Sequence, residues 1–181
     1  PDALQMTGQG TVNGVPLQLS WKRNFQALAA GPADHLILHG VVAEAQWAQL
    51  GLPKMARVQG VVNMAVSVDV YDNGARRGAG RFDLTGAAID LNEIGWRKPG
   101  SVPANMNMTF QVDPNGGTII DLWEISGAGL AARGSAKLAP GGGLMSLYSE
   151  DLALGATRLA VDMSTMPGGG YRMHLTGPSL D

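Results

Sequence analysis

The chain reads as an all-β protein of about a dozen strands joined in an antiparallel meander, with one short helix. Two observations predict this. Long stretches alternate apolar and polar residues with period two: Val62, Met64, Val66, Val68 and Val70 against Asn63, Ser67 and Asp69, and Met106, Met108, Phe110 and Val112 against Asn105, Asn107, Thr109, Gln111 and Asp113. The 26 glycines and 10 prolines fall largely between such stretches, where they act as turn punctuation rather than as a low-complexity tract.

Taken in order, Leu4 to Val12 reads as a strand. Asn13-Gly14 reads as a hairpin turn, because both central positions of that turn want positive φ. Leu17, Leu19 and Trp21 alternate on the return. A second pair is expected from Phe25 to Ala29 and from His35 to Val42, broken at Gly31-Pro32. Val42 to Leu50 is the one helix candidate: Trp47 and Leu50 could share a face, and Gly51 and Pro53 supply the stop. Under three turns long, it needs the end of the sheet to pack on. The longest strand, through Val62 to Val70, then turns back at Asp72-Asn73-Gly74. Phe82 and Leu84 continue the alternation, Gly86 breaks it, and Ile89 and Leu91 resume it.

An elbow follows, Gly95-Trp96-Arg97-Lys98-Pro99-Gly100. Trp96 is expected to pack against the sheet end, Pro99 and Gly100 to fix the turn, and Arg97 and Lys98 to point to solvent or to lipid headgroups. Beyond Asp113, turns at Pro114–Gly117, Pro140–Gly143 and Pro167–Gly170 separate strands near Thr118–Ser126, Leu130–Leu138, Leu144–Ser149, Leu154–Ser164 and Tyr171–Thr176.

A loose repeat runs through this order. Asp83-Leu84-Thr85-Gly86-Ala87-Ala88-Ile89 matches Glu124-Ile125-Ser126-Gly127-Ala128-Gly129-Leu130 and His174-Leu175-Thr176-Gly177-Pro178-Ser179-Leu180, with a weaker echo at Leu38-His39-Gly40-Val41. The three glycines are 41 and 50 positions apart. Such units suggest a stacked β array, with each glycine where the sheet bends or ends; chance likeness among glycine-rich hairpins is the alternative.

Chemical motifs are few. The 181 residues contain no cysteine, which excludes disulfides, thiolate metal sites and cysteine nucleophiles. A net charge of −2 gives no electrostatic footprint for nucleic acid. His35 and His39 fall about 13 Å apart on one strand, too far to share a metal ion. Asp69-Val70-Tyr71-Asp72-Asn73-Gly74 resembles half a calcium loop, but Tyr71 occupies a ligand position and Gly80 stands where the bidentate Glu belongs. Gly127-Ala128-Gly129-Leu130-Ala131-Ala132 loosely fits a dinucleotide fingerprint with no helix to follow, and the Gly8/Gly10 and Gly78/Gly80 pairs show how common such spacing is here. Asp69, Asp83, Asp113, Asp121 and Asp162 occupy the polar phase of strands. Arg76-Arg77 and Arg97-Lys98 read as turn charge, or as contacts to anionic headgroups. No enzyme, cofactor or metal is expected.

A sheet with one apolar face must bury it on another layer, and the only cover offered is one short helix. The sheet therefore either closes on itself as a sandwich or barrel, or leaves the face partly open for a ligand. The methionines Met64, Met106, Met108, Met163 and Met173 suit variable partners and serve equally as core filler.

The residues also carry a resemblance. Phe82-Asp83-Leu84-Thr85-Gly86-Ala87-Ala88-Ile89-Asp90-Leu91, the Gly95–Gly100 elbow and Pro103-Ala104 resemble the AsmA-like family of bacterial envelope proteins, in particular its YhdP/TamB-type segments. Ala45–Pro53 and Leu175–Asp181 are similar to pieces of the same family, so the likeness spans roughly Val42 to the end. It implies a curved, taco-shaped antiparallel β-groove or half-barrel, one segment over residues 1–181, excised from a longer chain. It further implies a periplasmic protein, anchored in the inner membrane by a helix absent here, that carries phospholipid toward the outer membrane without catalysis. Val62, Met64, Val66, Val68, Val70, Phe82, Leu84, Met106, Met108, Phe110 and Val112 would line the groove, and Trp96, Pro99 and Gly100 would form the elbow. The alternative is a closed β scaffold or interaction module that assists envelope or outer-membrane protein assembly.

Overall fold

The computed structural model describes residues 2–26, 31–46, 49, 58–91, 96–127 and 129–179. Thirteen antiparallel strands make one open sheet: β1 (Ala3–Val12), β2 (Val15–Asn24), β3 (Asp34–Ala43), β4 (Val58–Val70), β5 (Arg76–Asp83), β6 (Ala87–Leu91), β7 (Trp96–Lys98), β8 (Ala104–Val112), β9 (Thr118–Gly127), β10 (Leu130–Leu138), β11 (Leu144–Leu154), β12 (Thr157–Thr165) and β13 (Tyr171–Ser179). Eleven of them follow a single path, β1-β2-β3-β4-β5-β8-β9-β10-β11-β12-β13, and β1 and β13 do not meet. The fold is therefore a curved antiparallel β-groove, neither a barrel nor a sandwich. Self-closure, which the pattern left open, does not occur.

β6 and β7 stand off this path. β4 is long enough that its first three residues, Val58–Gly60, pair with Ile89–Ala87 of β6, while Asn63 to Val70 pair with β5. β7 then pairs with β6 through Ile89 and Lys98, Asp90 and Arg97, and Leu91 and Trp96. This small hairpin brings Ala87 and Ile89 into a core with Val58, Val62, Leu84, Ala104, Leu130 and Ala132. These residues cluster at the end of the sheet where β4 begins and β5 ends, here termed the upper rim. A second, smaller core holds Val15, Leu17 and Val42.

Several boundaries differ from the sequence reading. The Val42–Leu50 helix is not formed as expected. Val42 and Ala43 belong to β3, where Val42 pairs with Val62 and is 3% exposed, and a single 3-10 turn covers Glu44–Gln46. A β-branched residue buried in a ladder outweighs a weak helix signal; Trp47, Ala48 and Leu50 lie outside the described residues. No strand starts at Phe25: Phe25 and Gln26 form a turn whose amides donate to the Asp2 carbonyl and the Asn24 side chain, and 27–30 lie outside the described residues. Trp21 to Arg23 instead pair directly with Leu36 to Asp34. β11 runs on to Leu154, and Gly155-Ala156 makes the turn, because Leu154 and Thr157 close a two-residue hairpin. Among the described residues, no helix is long and apolar enough to cross a membrane.

The repeat glycines lie spread along one rim of the sheet. Gly86 follows β5 against Val61, Gly127 ends β9 at φ +135 against the Pro103 carbonyl, and Gly177 lies near the end of β13 against the Arg158 carbonyl. Each lies in or just after a strand running toward the upper rim, so the repeat marks three strand ends where a neighbouring backbone comes too close for a Cβ.

Candidate functional site

Antiparallel register, with bulges in the pairings from β8 to β13, places the apolar residues of successive strands beside one another. One row reads Met6, Trp21, Leu36, Val68, Gly78, Phe110, Ile120, Ala136, Leu147, Met163 and Met173, one residue from each of the eleven strands. Closer to the upper rim, a parallel row runs through Leu38, Val66, Gly80, Met108 and Trp123. The next runs through Met64, Phe82, Met106, Ile125, Ala132, Leu152 and Leu159. Because side chains alternate faces with period two, one register error would scatter these rows. The face spans ten inter-strand gaps, about 50 Å in all.

All eleven expected groove residues fall on this face or at its rim. Val62 and Leu84 are buried in the upper-rim core. Met64, Val66, Val68, Val70, Phe82, Met106, Met108, Phe110 and Val112 are half-buried, covered by their neighbours but not sealed. Toward the sheet edges, cover falls away: Met6 is 53% and Met173 57% exposed.

Sequence reasoning missed the glycine slots that let this face pack. A Cβ at Gly78 would strike the Phe110 ring and the Ser67 carbonyl, and one at Gly80 would meet Phe82 at 2.7 Å. At Gly134 it would strike the Tyr148 carbonyl and come within 2.9 Å of Trp123. Aromatic rings thus lie over glycines, Phe110 and Trp123 from adjacent strands and Phe82 from the same strand as Gly80, a recognised way of filling gaps in sheets. The visible signal was a strand glycine opposite an aromatic residue, yet Gly78 and Gly80 read as background. Trp123 itself went unnoticed. Its indole N–H, buried on this otherwise apolar surface, has no acceptor among the described residues.

The opposite face is polar and also hollow. A cavity of about 910 Å³ is lined largely by residues of that phase, among them Asn63, Arg81, Asp83, Asn107, Thr109 and Glu124. A second, of about 470 Å³, adjoins it near Gln18 and His39. A twisted sheet is saddle-shaped, so each face is concave along one diagonal. Both of these hollows lie mainly over the polar face.

The elbow differs from expectation in one residue. Lys98 does not face solvent. It is fully buried, and its Nζ donates to the Ala87 carbonyl at 2.5 Å and the Pro99 carbonyl at 3.0 Å. In β7 Lys98 pairs with the buried Ile89, which turns its stem inward. Burial holds its amine below the ordinary lysine value, and the Asp83 carboxylate offsets part of that shift. Asp83 in turn is held below the usual carboxylate range, chiefly by hydrogen bonds from Thr85. Arg97 behaves as expected, exposed and paired with Asp90 at 2.7 Å. Pro99 is exposed and Gly100 half-buried; the Trp96 side chain lies outside the described residues.

His35 bonds Asp69 at 2.7 Å on the polar face. Among the described residues, no group of three His, Cys, Asp or Glu side chains could hold a metal ion. No family model, curated protein or solved structure matches the chain.

Proposed function

We propose that the chain is a non-enzymatic lipid-transfer module, a groove segment of AsmA-like type that shelters phospholipid acyl chains on its apolar face. One observation carries this reading: an apolar row continues across all eleven strands of an open sheet, flanked by shorter apolar rows, and among the described residues the β6–β7 hairpin covers the upper-rim end alone. Sheltering an acyl chain is worth about 0.8 kcal/mol per CH₂, so a sixteen-carbon chain calls for roughly 13 kcal/mol. An uninterrupted apolar surface meets that need without polar specificity, and its uniformity allows sliding. In this reading the full-length protein works in the periplasm, held to the inner membrane by parts of the chain not present here.

A second reading, an interaction module that assists envelope assembly, draws on the 910 Å³ hollow over the polar face, whose Arg81, Asp83 and Glu124 suit a polar partner. Phospholipid transfer between donor and acceptor vesicles separates the two. Met108→Asp, which puts a carboxylate among the acyl chains, should abolish transfer by the folded chain. Asn107→Asp, one residue away on the polar face, should leave it intact. Equal transfer by both variants would favour the interaction module.

A further inference from the structure

Arg76, Arg77, Arg97 and Lys98 are the basic residues whose turn positions suit contact with anionic headgroups. The structure separates them. Lys98 is buried and spends its ammonium on two carbonyls, and Arg97 is paired with Asp90. Arg77 belongs to the polar face, where it pairs in register with Asp69 and Gln111, and its guanidinium lies 5.7 Å from the centre of the Tyr71 ring. Arg76 is exposed and stands on the apolar face.

Register fixes that placement. Arg76 pairs with Val70 on one side and Val112 on the other, both groove residues. The next residues of β5 in the same phase are Gly78, Gly80 and Phe82, so the arginine ends a line that otherwise has no polar side chain. It stands where β4 ends and β5 begins, here termed the lower rim. There its aliphatic stem can lie along the valines while the guanidinium stays in water. Arg23, on the same row in β2, is already held by Asp34 at 3.5 Å. Asp113, the acid next to Val112, accepts from the Asn115 and Gly117 amides of its own turn. Arg76 forms no ion pair with another described residue.

The two ends of the apolar face therefore differ. At the upper rim Val62, Leu84 and Ala104 are buried in a core that the β6–β7 hairpin closes, and at the lower rim the apolar phase ends in an exposed cation. Between Arg76 and Phe82 the strand rises about 20 Å, against about 15 Å for one leaflet, half of a bilayer's hydrocarbon core. A tail laid along the strands thus fits between the rim and the covered core. The reverse orientation would drive a charged phosphate against that core, where nothing repays its lost hydration. We propose that Arg76 is a headgroup site: it binds the phosphodiester of a glycerophospholipid whose tails run along the strands toward the upper rim. This rests on the sheltering reading above, and the recognition is that of a guanidinium for a phosphate.

Vesicles holding equal amounts of phosphatidylglycerol and of diacylglycerol with the same tails present both lipids at one surface. The purified chain, incubated with them and recovered, should carry phosphatidylglycerol in excess, because diacylglycerol has no phosphate. Arg76→Gln should lower that ratio about fivefold, the upper end for an exposed charge pair, with an unchanged circular dichroism spectrum. Arg76→Lys keeps the charge and should keep most of the preference. Arg77→Gln, one residue away on the opposite face, should keep all of it. Uptake of both lipids in a ratio that Arg76→Gln leaves unchanged, or that Arg76→Lys or Arg77→Gln lowers as far, overturns the headgroup site and leaves the sheltering reading standing. A chain that takes up neither lipid overturns both.

Discussion

Lys98 offers the sharpest test of how the upper rim is held together. It is 0% exposed, and its ammonium is satisfied only by the carbonyls of Ala87 and Pro99; among the described residues no carboxylate oxygen lies within ion-pairing distance. Taking a charge out of water is costly, and two carbonyl bonds repay only part of it. Lys98→Met keeps most of the stem and removes the charge, at the cost of leaving two carbonyls without their donor. Replacing a buried charge by an apolar side chain of similar volume is often close to neutral, so this variant should lie within about 1 kcal/mol of the parent near neutral pH. Lys98→Ala removes the stem as well and opens a cavity beneath Ile89, which should cost about 2–4 kcal/mol. For a chain of this length that is a fall in Tm of roughly 5–15 °C. The pH dependence gives an independent reading. The amine is held below 10.5 in the folded chain, so between its folded value and 10.5 the unfolded state binds more protons, and stability must rise with pH through that window. Thermal melts from neutral pH to above that value should therefore show the parent gaining on Lys98→Met. A difference that is flat, or that falls with pH, refutes the desolvation argument. So does a Lys98→Met as unstable as Lys98→Ala.

Other perturbations address the sheet itself. Gly134→Ala should lower stability by about 1–3 kcal/mol, because its Cβ has no room beside the Tyr148 carbonyl and Trp123; Gly143→Ala, with open space around it, should change stability by under about 0.5 kcal/mol. Trp123→Phe removes a buried N–H that has no acceptor, a gain, and also the benzo ring that fills the Gly134 slot, a loss, so in calorimetry it should destabilise the lipid-free chain by less than about 2 kcal/mol, below the about 3–5 kcal/mol usual for truncating an aromatic core residue. Met108→Asp should remain folded, losing about 1–2 kcal/mol, since a half-buried site lets the carboxylate reach water. Failure of that variant to fold would mean the face is sealed.

Much of the architecture was legible in the sequence because its dominant signal is local. Period-two alternation in Val62–Val70 and Met106–Val112 reports which side of the sheet each residue faces, and tight turns such as Asn13-Gly14 report where strands reverse. The misreadings share one cause, a tertiary contact overriding a local cue. Val42 sits in a ladder against Val62 instead of starting a helix. Lys98 is drawn inward by its pairing with Ile89, although lysine next to arginine in a turn reads as solvent-facing. The off-path pairing of β6 with the first residues of β4 has no local signature, so the covered upper rim could not be foreseen. Gly78, Gly80 and Gly134 were visible as residues but not as slots, because the Phe110 and Trp123 rings come from other strands, and Phe82, two residues from Gly80 on the same strand, folds back over it only once that face is packed.

Native mass spectrometry of the chain, purified from a Gram-negative host without detergent, tests the central claim most directly. Phospholipid should remain bound to the folded protein and be lost from folded Met108→Asp. A folded parent chain that carries no lipid, and takes up none when incubated with phospholipid vesicles, would contradict the account.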